Sequence, residues 1–272
     1  MCPERTPSAA DLCSKITSLM TALATLSTAD AVHPLRVRYR QEMNCQVVHD
    51  SIHTRDGWTL TYTCTVGGAV AGFGSVAVAG PWKGKPTVFE FYVLPEYRAR
   101  AFDLFDALLS ASGARLMEIQ SSDVLLTVML HTYARDIWSE KIVFHDAIAT
   151  VLPAQGAIVH RVTSDKETRG AIAERAGFTE CQLRLEGETV ATGGLMFHYN
   201  VPYTDIYMDV GEPFRRRGFG SYLVQELKRL AYELGSVPCA RCSPENVASR
   251  KTLQKAGLVP FAHILNGSIR AE

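Results

Sequence analysis

The sequence predicts an α/β chain built as two tandem copies of one unit. Three observations predict it. Strand and helix patterns alternate along the chain, the same order of elements appears twice, and residues recur at fixed offsets between the halves. Gly67, Val70, Ala71 and Gly74 match Gly187, Val190, Ala191 and Gly194 at an offset of 120 (187−67), and Val93 and Arg98 match Val210 and Arg215 at 117 (215−98).

The elements follow in order. Residues 8–28 are expected to form a helix, with Leu12, Ile16, Leu19, Leu23 and Leu26 on one face and Ser8 and Asp11 as a capping pair. Strand signals start near Trp58, with a hairpin around Gly67-Gly68, and "TVFEFYVLP" is a further strand. "RARAFDLFDALLSASGA" is helical, "RLMEIQ" extended and "DVLLTVMLHTYARDIW" helical, and two strands follow in "KIVFHDAIATVLPAQGAIVHRVT". The second copy has a hairpin around Glu186-Gly187, the strand "TDIYMDV", and a helix from Gly218 to Leu234 stopped by Gly235. It ends with extended "PCARCS", the short helix "NVASRKTLQKA" and the strand "LVPFAHIL". The expected division is 1–155 and 156–272.

Composition narrows the function. With 47% apolar and 21% charged residues the chain is expected to be globular and soluble. Lys+Arg and Asp+Glu are both 28, which gives no drive towards nucleic acid or a membrane surface. Seven scattered cysteines suit reduced thiols in a cytoplasm, and neither a signal peptide nor a membrane span is expected. Cys239-x-x-Cys242 is a single pair on a strand, with side chains on opposite faces, and the histidines lack ligand spacing, so no metal is expected.

The chemistry concentrates in "RRRGFGSYLVQEL", Arg215 to Leu227. Arginines bring charge and forked donors, glycines let backbone N–H groups approach a ligand, and a helix N-terminus supplies unpaired donors. Together they form a cradle for a phosphate-bearing anion. In the 117-offset alignment Gly218 and Gly220 face Ala101 and Asp103, so the first copy is expected to have lost the cradle.

Arg215-Arg216-Arg217-Gly218-Phe219-Gly220, with Val210 five residues before, resembles the signature of the GNAT acetyltransferase superfamily. So does the run from Asn246 through Ser249 to Lys255, Gly257 and Leu258. The resemblance is close over residues 180–266 and fainter, without the signature, in the first half. It implies two tandem GNAT-like domains, each a mixed, mostly antiparallel sheet flanked by helices, with only the second competent. It also implies acetyl-CoA as co-substrate and an amine acceptor, attacked directly in a ternary complex. The implied cofactor-binding residues are Met208, Val210, Arg215, Arg216, Arg217, Gly218, Phe219, Gly220, Ser221, Asn246, Ser249 and Arg250. A solvated helix residue is the competing reading for Arg250.

Attack by an amine needs a proton acceptor. Asp205, Asp209 and Glu212 are the catalytic candidates, with Tyr207, His198 and Tyr199 nearby. Strand alternation puts 205, 207 and 209 on one face. Many family members carry a tyrosine seven residues after the asparagine, as acid to the leaving thiolate. Leu253 stands there, so either another group donates the proton, with Tyr222 and Ser249 as candidates, or CoA leaves as a thiolate. Glu118 and Gln120 are open to two readings, an acceptor-pocket wall or polar packing. A non-catalytic acyl-CoA-binding or sensing role is the alternative function, and a homodimer stays open.

Overall fold

The computed structural model describes residues 21–162 and 180–270. Twelve strands among them form one sheet in the order β1-β2-β3-β4-β5-β12-β6-β11-β10-β9-β8-β7. The first half supplies β1 (Ala22–Ser27), α1 (Ala29–Met43), β2 (Thr59–Val66), β3 (Ala69–Ala77), β4 (Thr87–Val93), α2 (Ala101–Ser112), β5 (Leu116–Gln120), α3 (Val124–Tyr133) and β6 (Ala134–Asp146). The rest supplies β7 (Ile158–Val162), β8 (Glu180–Leu185), β9 (Glu188–Met196), β10 (Tyr203–Val210), α4 (Phe219–Glu233), β11 (Val237–Cys242), α5 (Val247–Lys255) and β12 (Leu258–Ile269). Most pairings are antiparallel, and β4–β5 and β10–β11 are parallel. This is the expected tandem architecture.

The two halves exchange strands at the centre. The last strand, β12, lies between β5 and β6, and β6 lies between β12 and β11. Two apolar cores flank this seam. One packs α2 and α3 on the first half, around Phe91, Phe105 and Met129. The other packs α4 on the second, around Leu223, Leu227 and Leu253.

Three local expectations are corrected. Leu23 and Leu26 belong to strand β1, paired with β2, and are exposed; the remainder of the expected helix, up to residue 20, lies outside the described residues. Helix α1 carries too weak an apolar stripe to announce itself, burying Val32, Arg36 and Tyr39 and holding Pro34 inside. Helix α3 stops at Tyr133, short of the expected Trp138, because Ala134 to Asp146 is drawn into the central seam as β6.

The repeat is real, with corrected offsets. A Cβ on Gly74 would meet Leu108 Cδ2 at 2.3 Å, and one on Gly193 would meet Leu227 Cδ1 at 3.1 Å. These equivalent contacts stand 119 residues apart (193−74 and 227−108). β3 and β9 start at the same offset (188−69), so the hairpin matches at 120 slip by one. The 117 offset holds at the strand ends. Arg98 Nε donates to the Val93 carbonyl at 3.4 Å, and Arg215 Nε to the Val210 carbonyl at 3.1 Å.

Beyond the arginines the offset returns to 119. Buried Ala101, Leu104, Phe105 and Leu108 of α2 correspond to buried Gly220, Leu223, Val224 and Leu227 of α4. The first copy therefore has two residues between Arg98 and Ala101 where the second has four between Arg215 and Gly220. Ala101 faces Gly220, Asp103 faces Tyr222, and at the same offset Ala99, whose φ is not positive, faces Gly218.

The open face of the first half is covered by α1 and by a 3-10 turn at Asp50–Thr54. Glu90, buried on β4, pairs with His53 at 2.8 Å and Arg36 at 3.5 Å. Burial alone would raise its pKa, but His53 and then Arg36 outweigh that and hold the carboxyl at about 2. The folded value lies below that of the unfolded chain. The stabilisation is therefore complete at neutral pH and is lost as pH falls from about 4 towards 2. Glu90→Gln should cost about 3 kcal/mol at pH 7 by removing the buried carboxylate that pairs with Arg36 and His53. Urea denaturation should show the gap from wild type narrowing at pH 3.

Candidate active site

Strands β10 and β11 pair only from Tyr203↔Val237 to Ile206↔Ala240. Beyond that they part, while β10 stays paired to β9 as far as Val210. A cleft of about 760 Å³ opens beside the gap, bordered by the end of β10, the loop 214–218 and the first turns of α4 and α5.

The loop is shaped for backbone contact. Gly218, the N-cap of α4, has φ +92° and offers no side-chain cap, and the first turn carries no acidic residue. The helix start is thus open to an anion. A Cβ at Gly220 would lie 3.1 Å from Val210 and 3.2 Å from Thr252, closing the space where loop, strand and α5 converge. Arg216 adopts φ +61°, a left-handed conformation unusual for a residue with a side chain and one that clusters at ligand sites. Arg215 is turned back onto the Val210 carbonyl, fixing the loop to the strand.

Of the twelve expected binding residues, the cleft is lined by Met208, Val210, Arg215, Arg216, Gly218, Phe219, Gly220, Ser221, Asn246 and Ser249. Arg217 and Arg250 are not brought to it. The Arg217 guanidinium lies over the Phe214 and Phe219 rings, 5.7 and 5.1 Å from their centroids. Arg250 leaves its Nε buried without a partner. Asn246 caps α5, its Oδ1 accepting from Ser249 N–H at 2.9 Å, and its Nδ2 is left for other contacts.

Lys251, Thr252 and Lys255 also line the cleft, on the face of α5 that continues from Val247 and Ala248. The i, i+4 spacing of Lys251 and Lys255 was a signal the sequence reading missed. Four cations and one carboxylate, Asp209, make the cleft strongly positive.

A second pocket, of about 270 Å³, lies on the open face of the sheet. It shares Met208, Asn246 and Ser249 with the cleft. Asp205 and Tyr207 line it, together with Arg241 of β11, Lys141 of β6 and Leu253 of α5. Asp205 is 1% exposed. Its Oδ2 is 3.2 Å from Arg241 Nε and 3.3 Å from His198 Nε2, and the buried Tyr199 hydroxyl lies beside the same carboxylate, though Oδ1 accepts no hydrogen bond of ordinary geometry. Burial, reinforced by the Asp205 carboxylate, pushes the Tyr199 hydroxyl well above its usual range. Tyr207 is also raised by burial, so both phenols stay protonated.

Asp209 lines the cleft rather than this pocket, and Glu212 is exposed and borders neither. Ser249 borders both, and Tyr222 neither. Buried Leu253 fills the position expected of a proton donor.

Glu118 and Gln120 are engaged in polar packing. Glu118 binds His49 at 3.0 Å and Trp82 Nε1 at 2.9 Å, and Gln120 Oε1 accepts from Val48 N–H. Cys239 and Cys242 belong to cores on opposite faces of the sheet, which rules them out as a joint metal clamp.

Residues 154–258 match the model of the acetyltransferase (GNAT) family. A GNAT-family acetyltransferase from Colwellia psychrerythraea has a similar structure, with TM-score 0.68 and 13% identity over 91% of this chain and 99% of that one. A GCN5-related N-acetyltransferase from Sphaerobacter thermophilus gives TM-score 0.56 and 16% identity, covering 92% and 96%. A tandem GNAT protein from the clavulanic acid biosynthesis pathway gives TM-score 0.53 and 12% identity, covering 92% and 99%. No curated protein sequence matches. Residues 154–258 therefore match a GNAT acetyltransferase domain, and the chain shares its fold with a tandem GNAT protein.

Proposed function

We propose that the protein transfers an acetyl group from acetyl-CoA to the primary amine of a small acceptor, by direct attack in a ternary complex. One observation carries this reading. The positive cleft and the open-face pocket meet at Met208, Asn246 and Ser249, where β10 and β11 part. Two substrates entering from the two sides would bring their reactive ends together there.

The cleft fits the co-substrate. Backbone N–H groups of the first turn of α4, with Arg216 and the α5 lysines, suit a pyrophosphate. Gly220 leaves the space that a side chain would fill. Asn246 Nδ2 suits an amide carbonyl of the pantetheine arm, and a backbone amide near Val210 suits the thioester carbonyl. Bound acetyl-CoA supplies an activated acyl group as a thioester. The acceptor nitrogen forms the C–N bond as the C–S bond breaks, and the nitrogen gives up one proton. Asp205 takes that proton through its unpartnered Oδ1, with Arg241 and His198 holding the carboxylate in place. Asp209 is the alternative acceptor. Ser249, beside both pockets, can donate a hydrogen bond to the leaving thiolate where Leu253 cannot.

The first copy, up to about residue 155, is a degenerate unit that binds no CoA. Support comes from its loop, two residues shorter than the cradle, and from Ala101 in the place of Gly220. The five described cysteines are free and buried, which suits a cytoplasmic setting. No helix among the described residues is long and apolar enough to cross a membrane. A non-catalytic acyl-CoA sensor is the second reading, and the leucine at 253 favours it.

Calorimetric titration with acetyl-CoA should saturate at one equivalent per chain. Gly220→Ala should weaken that binding tenfold or more with an unchanged circular-dichroism spectrum. Two equivalents per chain would mean that the first copy retains a site.

Asp205→Asn should lower the rate of thiol release on an amine panel ~100-fold or more while acetyl-CoA affinity stays within a few-fold. Asp209→Asn and Glu212→Gln serve as comparators. Full activity in Asp205→Asn with loss in Asp209→Asn would move the proton to the other aspartate. CoA binding by the wild type without thiol release on any amine would favour the sensor.

A further inference from the structure

The open-face pocket has a chemical bias of its own. At about 270 Å³ it is smaller than the ~300–1,000 Å³ of drug-sized sites, so it admits a small molecule rather than a folded partner. Its charged lining is Lys141, Arg241 and Asp205. Asp205 already holds Arg241 and His198 through Oδ2. No further carboxylate lines the pocket to answer Lys141, and exposed Glu245, whose charge Lys141 also feels, is engaged by Ser243. The lysine's neighbour Glu140 approaches to 3.4 Å from outside the lining, and the Asn266 amide also reaches Glu140 at 3.5 Å. Glu118, also near Arg241, is occupied by His49 and Trp82.

The placement of Lys141 is specific to this fold. It comes from β6, ahead of the matched family domain, and reaches the pocket because β6 is inserted between β12 and β11. In the β6–β12 ladder Ile264 pairs with Lys141 and Leu265 with Ser139, so Glu140 is an extra, bulged residue. Bulges of this kind re-aim side chains beside active sites.

We propose that the acceptor is a small amine that also carries a carboxylate. Its carboxylate meets Lys141 at the mouth of the pocket, its nitrogen meets Asp205 Oδ1 within, and its apolar body lies against Met196 and Leu253. This rests on the acetyl-transfer reading of the same site.

The test uses the full chain with matched pairs of small amines, α-amino acids and their carboxamides. Thiol release from acetyl-CoA is followed, and so is calorimetric binding to protein saturated with CoA. The acids should exceed the amides at least tenfold in kcat/KM and in affinity. Lys141→Met should bring both ratios towards one, and Lys141→Glu should invert them, each with an unchanged melting profile. Amides equal to or better than acids in the wild type overturn the proposal. So do ratios unmoved by Lys141→Met, or binding of neither class. Selective binding of acids with no thiol release upholds the recognition and removes the acetyl-transfer reading. Thiol release at equal rates from acids and amides does the reverse.

Discussion

The exchange of strands at the centre of the sheet is the constraint on which the rest depends. Without β6, strand β11 would present a bare edge on the side away from β10; without β12, strand β5 would do the same. An unpaired edge is a standing invitation to aggregate. Each half therefore completes the other, and the chain gains a single sheet with cores on both sides of the seam. The residues that make a domain by sequence, 154–258, take β6 from before that span and share the seam with β12, most of which lies after it.

The seam also fixes the open face. Segment 44–54 crosses from one half to the other and is held from both. Asn200 accepts from Val47 N–H and donates to the Cys45 carbonyl, Gln46 donates to the Phe144 carbonyl, and Ser51 N–H donates to the His198 carbonyl. These contacts bury the face as far as Cys239 and Val143. Two positions further along each strand the cover ends, and Arg241 and Lys141 border a pocket. The first half thus acts on the second by ending its cover at that level and by adding a cation.

What was legible in the sequence was local. Hairpins around Gly67-Gly68 and Glu186-Gly187, the glycine-led start of α4 and the capping Asn246 are written in a few adjacent residues, and they sit where expected. The cleft was legible for the same reason, since one loop and two helix starts build most of it. Non-local features were not. No short window shows that β6 leaves its own half, so Lys141 carried no signal. Helix α1 was hidden because its buried face includes Arg36, satisfied by Asp50 and Glu90 far along the chain. The 120 offset failed by one because glycines, which look alike, were matched without the packing partners Leu108 and Leu227 that distinguish them.

That last error changes the physical account of how the first copy lost its site. With Asp103 set opposite Gly220, repulsion of a phosphate by a carboxylate would suffice. The corrected alignment puts Asp103 two residues beyond that place, and Arg100 Nε meets its Oδ2 at 2.5 Å, so much of its charge is answered locally. Geometry is the stronger cause. In a loop shortened by two residues the position opposite Gly218 is Ala99, which lacks the φ of +92° that starts α4 with its donors uncapped. The gap beyond Val88 and Met117, where β4 and β5 cease to pair, is flanked by Phe91, Ile119 and Met129 in one apolar cluster. Reversing a charge in the first copy would leave both obstacles in place. Restoring a cradle there would require inserting the two missing residues and emptying part of a core, a change that works against the stability of the half that completes the sheet.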